Sequence, residues 1–297
     1  MARTREWMLL TAASALIITG CSSADDDEVA ASVPQDIAEV GTLVVATDPT
    51  FPPAELRSTV EFQSVQRGEL TGFEVELVEA VADELGLAVE WFDAPFDQVL
   101  RKVPGGEVDL AAASITVTSE RAADLGFVTF FETGTQWAAR VPNVSGVSPT
   151  TACGARVAVQ TGTVQADDVA ARSAACEEVG DDPIEVVAFE RQDEATAAVL
   201  AGVADAFVAD APAVEWAVSQ FSGSQAAASS ITVDRLSTLG APYDFAPYGW
   251  AVADPDLAAA LLDGLQAVYD SGEYDEIMEF WGVTDGAVDD FEIVGDV

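Results

Sequence analysis

Residues 105–127 read GGEVDLAAASITVTSERAADLGF, and this stretch decides the fold class. A glycine pair ends a predicted helix, an aspartate precedes an apolar strand, and polar residues then begin a new helix. Residues 201–217, AGVADAFVADAPAVEWA, repeat the same order in the second half of the chain. Strand–helix units of this length are typical of a mostly parallel sheet with helices on both faces. The sequence therefore predicts an α/β protein with two lobes of like architecture.

The segments around these two stretches continue the alternation of strands and helices. Residues 42–48 (TLVVATD) predict a buried strand that ends in turn residues. An apolar side chain then recurs every fourth residue from Phe73 to Leu85, which predicts one face of a helix. Residues 254–282 predict a pair of helices, with Pro255 at the first helical position.

The N-terminus indicates export. Residues 1–20 have a basic start and an apolar run from Trp7 to Ile18, which is the pattern of a signal peptide. The run ends in ITGC, which is similar to a lipobox and predicts Cys21 as a lipid-modified N-terminus. The alternative is an ordinary cleaved signal followed by a chance cysteine. Residues 21–38 are predicted as an acidic flexible linker, so we expect an extracytoplasmic protein anchored by Cys21 to the outer face of the cell membrane.

The charge balance excludes several function classes. The chain has 12 Lys and Arg against 52 Asp and Glu, no His, and a formal net charge of −40. This composition argues against nucleic-acid binding, which needs a basic surface. The absence of histidine excludes it as a metal ligand or a catalytic base, and we expect no cofactor and no metal.

Two cysteines remain once Cys21 is assigned to lipid. Outside the cytoplasm, Cys153 and Cys176 are predicted to form a disulfide, because oxidised pairs persist there. The alternative is a pair of buried free thiols.

Polar and aromatic residues follow four of the predicted strands, where ligands gather in open α/β sheets. These positions are residues 48–51, 114–121, 160–165 and Asp210. Arg121 can hold a carboxylate through two parallel hydrogen bonds. With Thr118 as N-cap, Arg121 would be the third residue of a helix whose positive end adds to an anion site.

Each of these residues also has a structural alternative. Arg121 could pair with Asp124 on an exposed helix face. Asp210 could be only the N-cap of the helix that follows it. Phe51 and Phe96 could belong to the core.

Seven motifs stand in the order found in a known family. They are LVVATDPTFPP (43–53), LTGFEVELVEAVADELGL (70–87), GGEVDLAAASITVTSERAADLGF (105–127), VAVQTGTV (157–164), VADAFVADAPA (203–213), PYGWAVADPDL (247–257) and GEYDEIMEFWGV (272–283). Over residues 41–283 the chain resembles the extracytoplasmic solute-binding proteins of amino-acid ABC transporters, the polar amino-acid class also called bacterial solute-binding protein family 3.

The resemblance implies a type II periplasmic-binding-protein fold with a hinge and an interlobe cleft. Residues 39–132 and 247–285 would form lobe I, residues 136–243 would form lobe II, and residues 286–297 would be a C-terminal tail.

The resemblance also assigns site residues. It implies that Arg121 grips the α-carboxylate of an amino acid and that Asp210 grips its α-amino group. It places further ligand contacts at Asp48, Phe51, Phe96, Ser114, Thr116, Thr163 and Gln165. Two departures concern the ligand side chain: Ala54 stands where the family usually has an aromatic residue, and the stretch 57–69 is longer than the usual hairpin.

The implied function is that of a lipid-anchored binding component of an ABC importer, which captures an amino acid and presents it to a membrane permease without turnover. The acidic composition favours a neutral or basic amino acid over an acidic one. The alternatives are a compatible-solute binder, for ectoine for example, or an exported arogenate or prephenate dehydratase on the same scaffold.

Overall fold

The computed structural model describes residues 33–58, 68–221 and 235–295. The predicted signal peptide, Cys21 and most of the predicted linker lie outside these residues, as do residues 59–67 of the long stretch after β3 described below. Within the described ranges, no helix combines the length and apolar character needed to cross a membrane.

Lobe I begins with a parallel three-strand unit. Its elements up to the first crossing are α1 (Gln35–Val40), β1 (Thr42–Thr47), β2 (Thr50–Phe51), β3 (Glu55–Arg57), β4 (Leu70–Thr71), α2 (Phe73–Glu84), β5 (Ala88–Asp93), α3 (Phe96–Lys102) and β6 (Leu110–Ala111). β1 pairs in parallel with β5 on one side and with β6 on the other, as the strand–helix alternation predicts. The short strands β2, β3 and β4 form a separate antiparallel sheet.

Two long strands connect the lobes. β7 (Gly126–Val141) and β11 (Arg235–Val252) run antiparallel to each other through both lobes. Their register shifts at three places between Leu239 and Gly249, so the ladder is irregular where it passes from one lobe to the other. The bulged pairs there have fewer ladder hydrogen bonds to resist bending.

Lobe II repeats the plan of lobe I. Its elements are β8 (Arg156–Gln160), α4 (Val164–Val179), β9 (Glu185–Phe189), α5 (Gln192–Leu200), β10 (Ala206–Asp210) and α6 (Ala211–Gln220). β8 pairs in parallel with β9 and with β10, and β10 joins β7 in the antiparallel sense. The strand order across the main sheet is β5-β1-β6-β11-β7-β10-β8-β9.

The chain returns to lobe I after β11. The elements there are α7 (Pro255–Ser271), α8 (Glu273–Trp281) and β12 (Ile293–Val294). The Asp254 side chain accepts hydrogen bonds from the backbone N–H groups of residues 256 and 257, as the predicted N-cap requires. The residues assigned to a tail pack on this lobe, since Phe291 is buried and β12 pairs with β7.

The predicted disulfide is confirmed. The Cys153 and Cys176 Sγ atoms are bonded, and the two Cα atoms are 5.7 Å apart. The bond fastens α4 to the loop before β8 in lobe II.

Candidate ligand-binding site

A cavity lies between the lobes, beyond the ends of the parallel strands. It is lined by Phe51, Phe96, Ala113, Ser114, Thr116, Gln160, Thr163, Val164, Gln165 and Asp210. Seven of the nine residues predicted as ligand contacts are in this lining. The other two, Asp48 and Arg121, contact residues of the lining.

Arg121 reaches across the cleft from lobe I. Its guanidinium donates one hydrogen bond to the Thr116 carbonyl at 2.7 Å and another to the Gly162 carbonyl of lobe II at 3.0 Å. It also lies over the Phe96 ring, 5.6 Å from the ring centroid. Among the described residues it has no ion pair, so the predicted alternative of a bond to Asp124 is wrong. Burial lowers the pKa of Arg121, which indicates a cation held with little water.

The helix predicted around Arg121 is a single 3-10 turn, Arg121–Ala123. The Thr118 hydroxyl does accept a hydrogen bond from the Arg121 N–H, at 3.2 Å. However, β7 begins at Gly126, and the few residues before it cannot propagate an α-helix. The expected contribution of a helix N-terminus to the anion site is therefore wrong, and the positive charge here is that of the guanidinium.

Asp210 ends β10 and precedes α6, but its side chain makes no capping hydrogen bond. Instead it accepts a hydrogen bond from the Gln165 amide at 2.8 Å. Burial raises the pKa of Asp210 to about 7, although the nearby Tyr248 hydroxyl, the Gln165 hydrogen bond and the charge of Arg121 act against this rise. A carboxylate kept buried without a full positive partner is suited to receive an ammonium group.

Asp48 follows β1 and faces lobe II. Its carboxylate accepts a hydrogen bond from the Gln160 amide across the cleft, at 2.6 Å. Burial raises the pKa of Asp48 to about 6, against the lowering effect of hydrogen bonds from Thr50 and Gln160. Gln160 was not among the predicted site residues, although it falls in the stretch 160–165 that the strand pattern singled out.

Two polar residues of the lining are engaged locally. The Thr163 hydroxyl caps α4, accepting from the Ala166 N–H at 3.1 Å, and donates to the Gln160 carbonyl at 2.8 Å. Ser114 has a φ of 52°, which is uncommon for a residue other than glycine. Its backbone N–H and hydroxyl are within hydrogen-bond distance of buried glutamates rather than facing only the cavity.

These glutamates, Glu55 and Glu74, were missed by the sequence analysis. Both are fully buried. Glu74 could have been found from helical spacing, because it is four residues before Val78 and eight before Ala82, which are buried on the same face of α2. Glu55 stands in a strand of three residues, which is too short for a periodic signal.

The cleft is nearly closed. The volume open to the centre of a water molecule is about 10 Å³, room for a single water. A ligand larger than a water molecule therefore needs the lobes to move apart. The arrangement offers one cation, two anions, and aromatic faces, which is suited to holding a zwitterion.

Within the described ranges, no group of acidic or cysteine side chains could hold a metal ion.

Comparison with known proteins agrees with this geometry. The sequence model for "Bacterial extracellular solute-binding proteins, family 3" matches residues 43–284. The arginine-binding protein ArgT of Corynebacterium glutamicum is 34% identical over 265 residues, which cover 89% of this chain and 81% of that protein. A solved ancestral arginine-binding protein bound to arginine is 28% identical with a TM-score of 0.69, covering 81% of this chain and 98% of its own. An ancestral amino acid-binding protein, a precursor of cyclohexadienyl dehydratase, is 25% identical with a TM-score of 0.66. The match covers 83% of this chain and 98% of that protein.

Proposed function

Since the chain belongs to the bacterial extracellular solute-binding proteins of family 3, we propose that it captures a basic amino acid, arginine above all, and delivers it to a membrane permease. Family and relatives make it an extracytoplasmic amino-acid-binding component of an ABC transporter and a binding protein rather than an enzyme. The proposal concerns the ligand, the residues that hold it and the anchoring.

The two ends of the backbone of an amino acid fit the charged groups of the cleft. Arg121 holds the α-carboxylate, because its guanidinium donates to two neutral carbonyls, has no ion pair within the described ranges, and can add charge-assisted bonds. Asp210 holds the α-amino group in place of the Gln165 amide. Phe51 and Phe96 pack on the aliphatic part of the ligand, and Thr116 and Thr163 contribute polar contacts.

The observation that carries the choice of a basic side chain is the second buried carboxylate, Asp48. Among the described residues, it accepts a hydrogen bond from lobe II from the neutral amide of Gln160. Burial raises its pKa to about 6, although the more distant charge of Arg191 acts in the opposite direction. A guanidinium or ammonium group in that place would form a charge-assisted bond with the carboxylate, which is stronger than a bond from a neutral amide. Two relatives named for arginine support the same choice.

The proposal is tested by calorimetry on the exported part of the chain with arginine, lysine, glutamine, glutamate and ectoine. We expect arginine to bind most tightly. Asp48→Asn should weaken arginine binding by about 2 kcal/mol, roughly 30-fold, and change glutamine binding little. Asp124→Asn, at an exposed position of lobe I, is the matched control and should change neither. Tighter binding of glutamate or ectoine would overturn the choice of ligand.

Anchoring by a lipid on Cys21 is proposed from the ITGC sequence. Two acyl chains give stable membrane attachment where one gives only marginal attachment. Cys21→Ser should release the protein from the membrane fraction or leave the precursor uncleaved. Normal maturation with continued membrane attachment would contradict the proposal.

A further inference from the structure

Beneath Ser114, two acidic side chains lie side by side in the interior of lobe I. Glu55 of β3 and Glu74 of α2 are both 0% exposed. Within the described part of the chain, neither carboxylate takes part in an ion pair. Two adjacent buried carboxylates cannot both be ionised at small cost, because desolvation and mutual repulsion both oppose the second charge.

The hydrogen bonds around Ser114 favour Glu55 as the neutral carboxyl, because the short contact from the Ser114 N–H fits an ionised acceptor at Glu74. The Ser114 N–H can only donate, and it lies 2.7 Å from Oε2 of Glu74, so that oxygen accepts. The hydroxyl oxygen of Ser114 is 3.1 Å from the same Glu74 oxygen and 3.0 Å from Oε1 of Glu55. A hydroxyl carries one hydrogen, so it can donate to only one of the two acids.

One assignment gives each of the three contacts of Ser114 one hydrogen. The Ser114 hydroxyl donates to Glu74, which already accepts from the Ser114 N–H, and a protonated Glu55 donates to the Ser114 oxygen. We propose that Glu55 and Glu74 carry one proton between them and that this proton is on Glu55. The resulting pair of an acid and a carboxylate positions Ser114 at the floor of the ligand cleft.

The surroundings of the pair agree with this assignment. Burial raises the pKa of Glu55 well above its usual range, and the neighbouring Glu74 adds to the rise. Burial also raises the pKa of Glu74, but the hydrogen bonds from the Ser114 N–H and hydroxyl lower it in part. The charge of Asp48 adds to the rise in the pKa of Glu55. The two glutamates in turn raise the pKa of Tyr248, so its phenol stays neutral.

Ser114 needs such support because of its backbone. A φ of 52° is costly for a side chain with a Cβ and persists where the surroundings fix it. The Glu74 carboxylate fixes both polar hydrogens of the residue, and Glu55 fixes its hydroxyl oxygen. The glutamates are thus positioning residues. They act on a ligand through Ser114. The single negative charge of Glu74 also adds to the negative potential of lobe I.

Infrared spectroscopy tests the proton directly. At about pH 8.5, above the pKa of about 7 for Asp210, the wild-type protein should show the C=O band of a protonated carboxyl group. Glu55→Gln should lose this band, and Glu74→Gln should keep it. A wild-type protein without the band, or a band that survives Glu55→Gln, would overturn the assignment. This readout needs no ligand, so it stands or falls independently of the proposed function.

The positioning role is tested by affinity for arginine, and this part rests on the proposed function. Glu55→Gln keeps a donor toward Ser114 and should bind within about threefold of the wild type. Glu74→Met removes the acceptor and should weaken binding at least tenfold, whereas Glu74→Gln keeps an acceptor oxygen and should restore most of it. Glu84→Met, at an exposed position near the end of the same helix, is the control. Equal losses in Glu74→Met and Glu74→Gln would overturn the positioning role, and failure of the wild type to bind any amino acid would instead contradict the proposed function.

Discussion

Lobe I and lobe II share one plan of parallel strands but are held together differently. In lobe I, large aromatic side chains fill the interior, and Phe130 stacks on Trp250 with 5.0 Å between the ring centroids. In lobe II, Val157 and other small residues pack around Trp137 on one side of the sheet, and Phe207 is buried on the other side among alanine and valine side chains. A disulfide between Cys153 and Cys176 occurs in lobe II alone among the described residues. The lobe with the smaller apolar side chains thus carries a covalent link, whereas lobe I is held by the packing of its aromatic side chains.

The lobes also divide the charges of the cleft. Lobe I supplies the cation of Arg121, and lobe II supplies the anion of Asp210, each with neutral partners from the protein. A zwitterion can satisfy both only when the cleft is shut, so binding and closure should be one coupled equilibrium.

The largest expected effect tests this division. Arg121→Ala and Asp210→Ala should each weaken amino-acid binding by about 2 to 5 kcal/mol, because one ligand charge is then desolvated without its partner. This is roughly 30-fold to several-thousand-fold in the dissociation constant, measured by calorimetry. The melting temperature of the unliganded protein should change by only a degree or two.

Matched controls separate the site from loss of charge alone. Arg101→Ala in lobe I and Asp181→Ala in lobe II are exposed and should leave affinity unchanged. The absence of a capping bond at Asp210 means that its replacement should not show the stability loss of about 1 kcal/mol typical of a lost cap. Unchanged affinity in Arg121→Ala would remove the proposed site.

The second prediction concerns the covalent link of lobe II. Replacing both Cys153 and Cys176 with Ala should lower the free energy of unfolding by about 3 kcal/mol, from the loss of loop closure in the unfolded chain. Hydrogen exchange should show the lost protection in α4 and β8, with α2 of lobe I little changed. A uniform loss over both lobes would show that their stabilities are not separate.

The smallest effect is on pH dependence, and its sign differs for binding and for folding. The α-amino group favours ionised Asp210, so affinity should fall as the pH drops below about 7, by at most tenfold per pH unit. For the unliganded fold, a pKa raised above the unfolded value means that the contribution of Asp210 to stability is lost as the pH rises through about 7.

Calorimetry in buffers of different ionisation enthalpy should detect proton release on binding near pH 6.5. Asp210→Asn should remove the proton release that comes from this residue. The proton release from Asp48, which has a pKa of about 6, should remain. Proton uptake on binding would contradict the assignment of the ammonium group to Asp210.

Much of the fold was predictable because its signals are local. The apolar face from Phe73 to Leu85, the strands that end at Asp48 and Asp210, and the order of the motifs all carry periodicity or turn chemistry. These predictions of an α/β fold of two lobes and of membership in the solute-binding family are confirmed. The lobe boundaries and ligand roles of individual residues stay predictions.

The remainder depended on contacts between distant parts of the chain. The pattern around Thr118 permitted a helix, and only the early start of β7 limits it to one 3-10 turn at Arg121. The partners of Ser114 come from β3 and α2, and no periodic signal links those segments. Buried polar pairs of this kind are set by tertiary packing, which a single sequence does not display.

Because β7 and β11 both pass between the lobes, the two lobes cannot be completed at the same time as the chain emerges. Lobe II is one continuous stretch between β7 and β11, whereas lobe I needs the last residues of β11, which pair with β6. A chain that emerges from the membrane N-terminus first can therefore complete lobe II while the first half of lobe I still waits. During that interval the edge of β6 is unpaired and exposed to neighbouring chains, so slow export favours aggregation through lobe I rather than through lobe II.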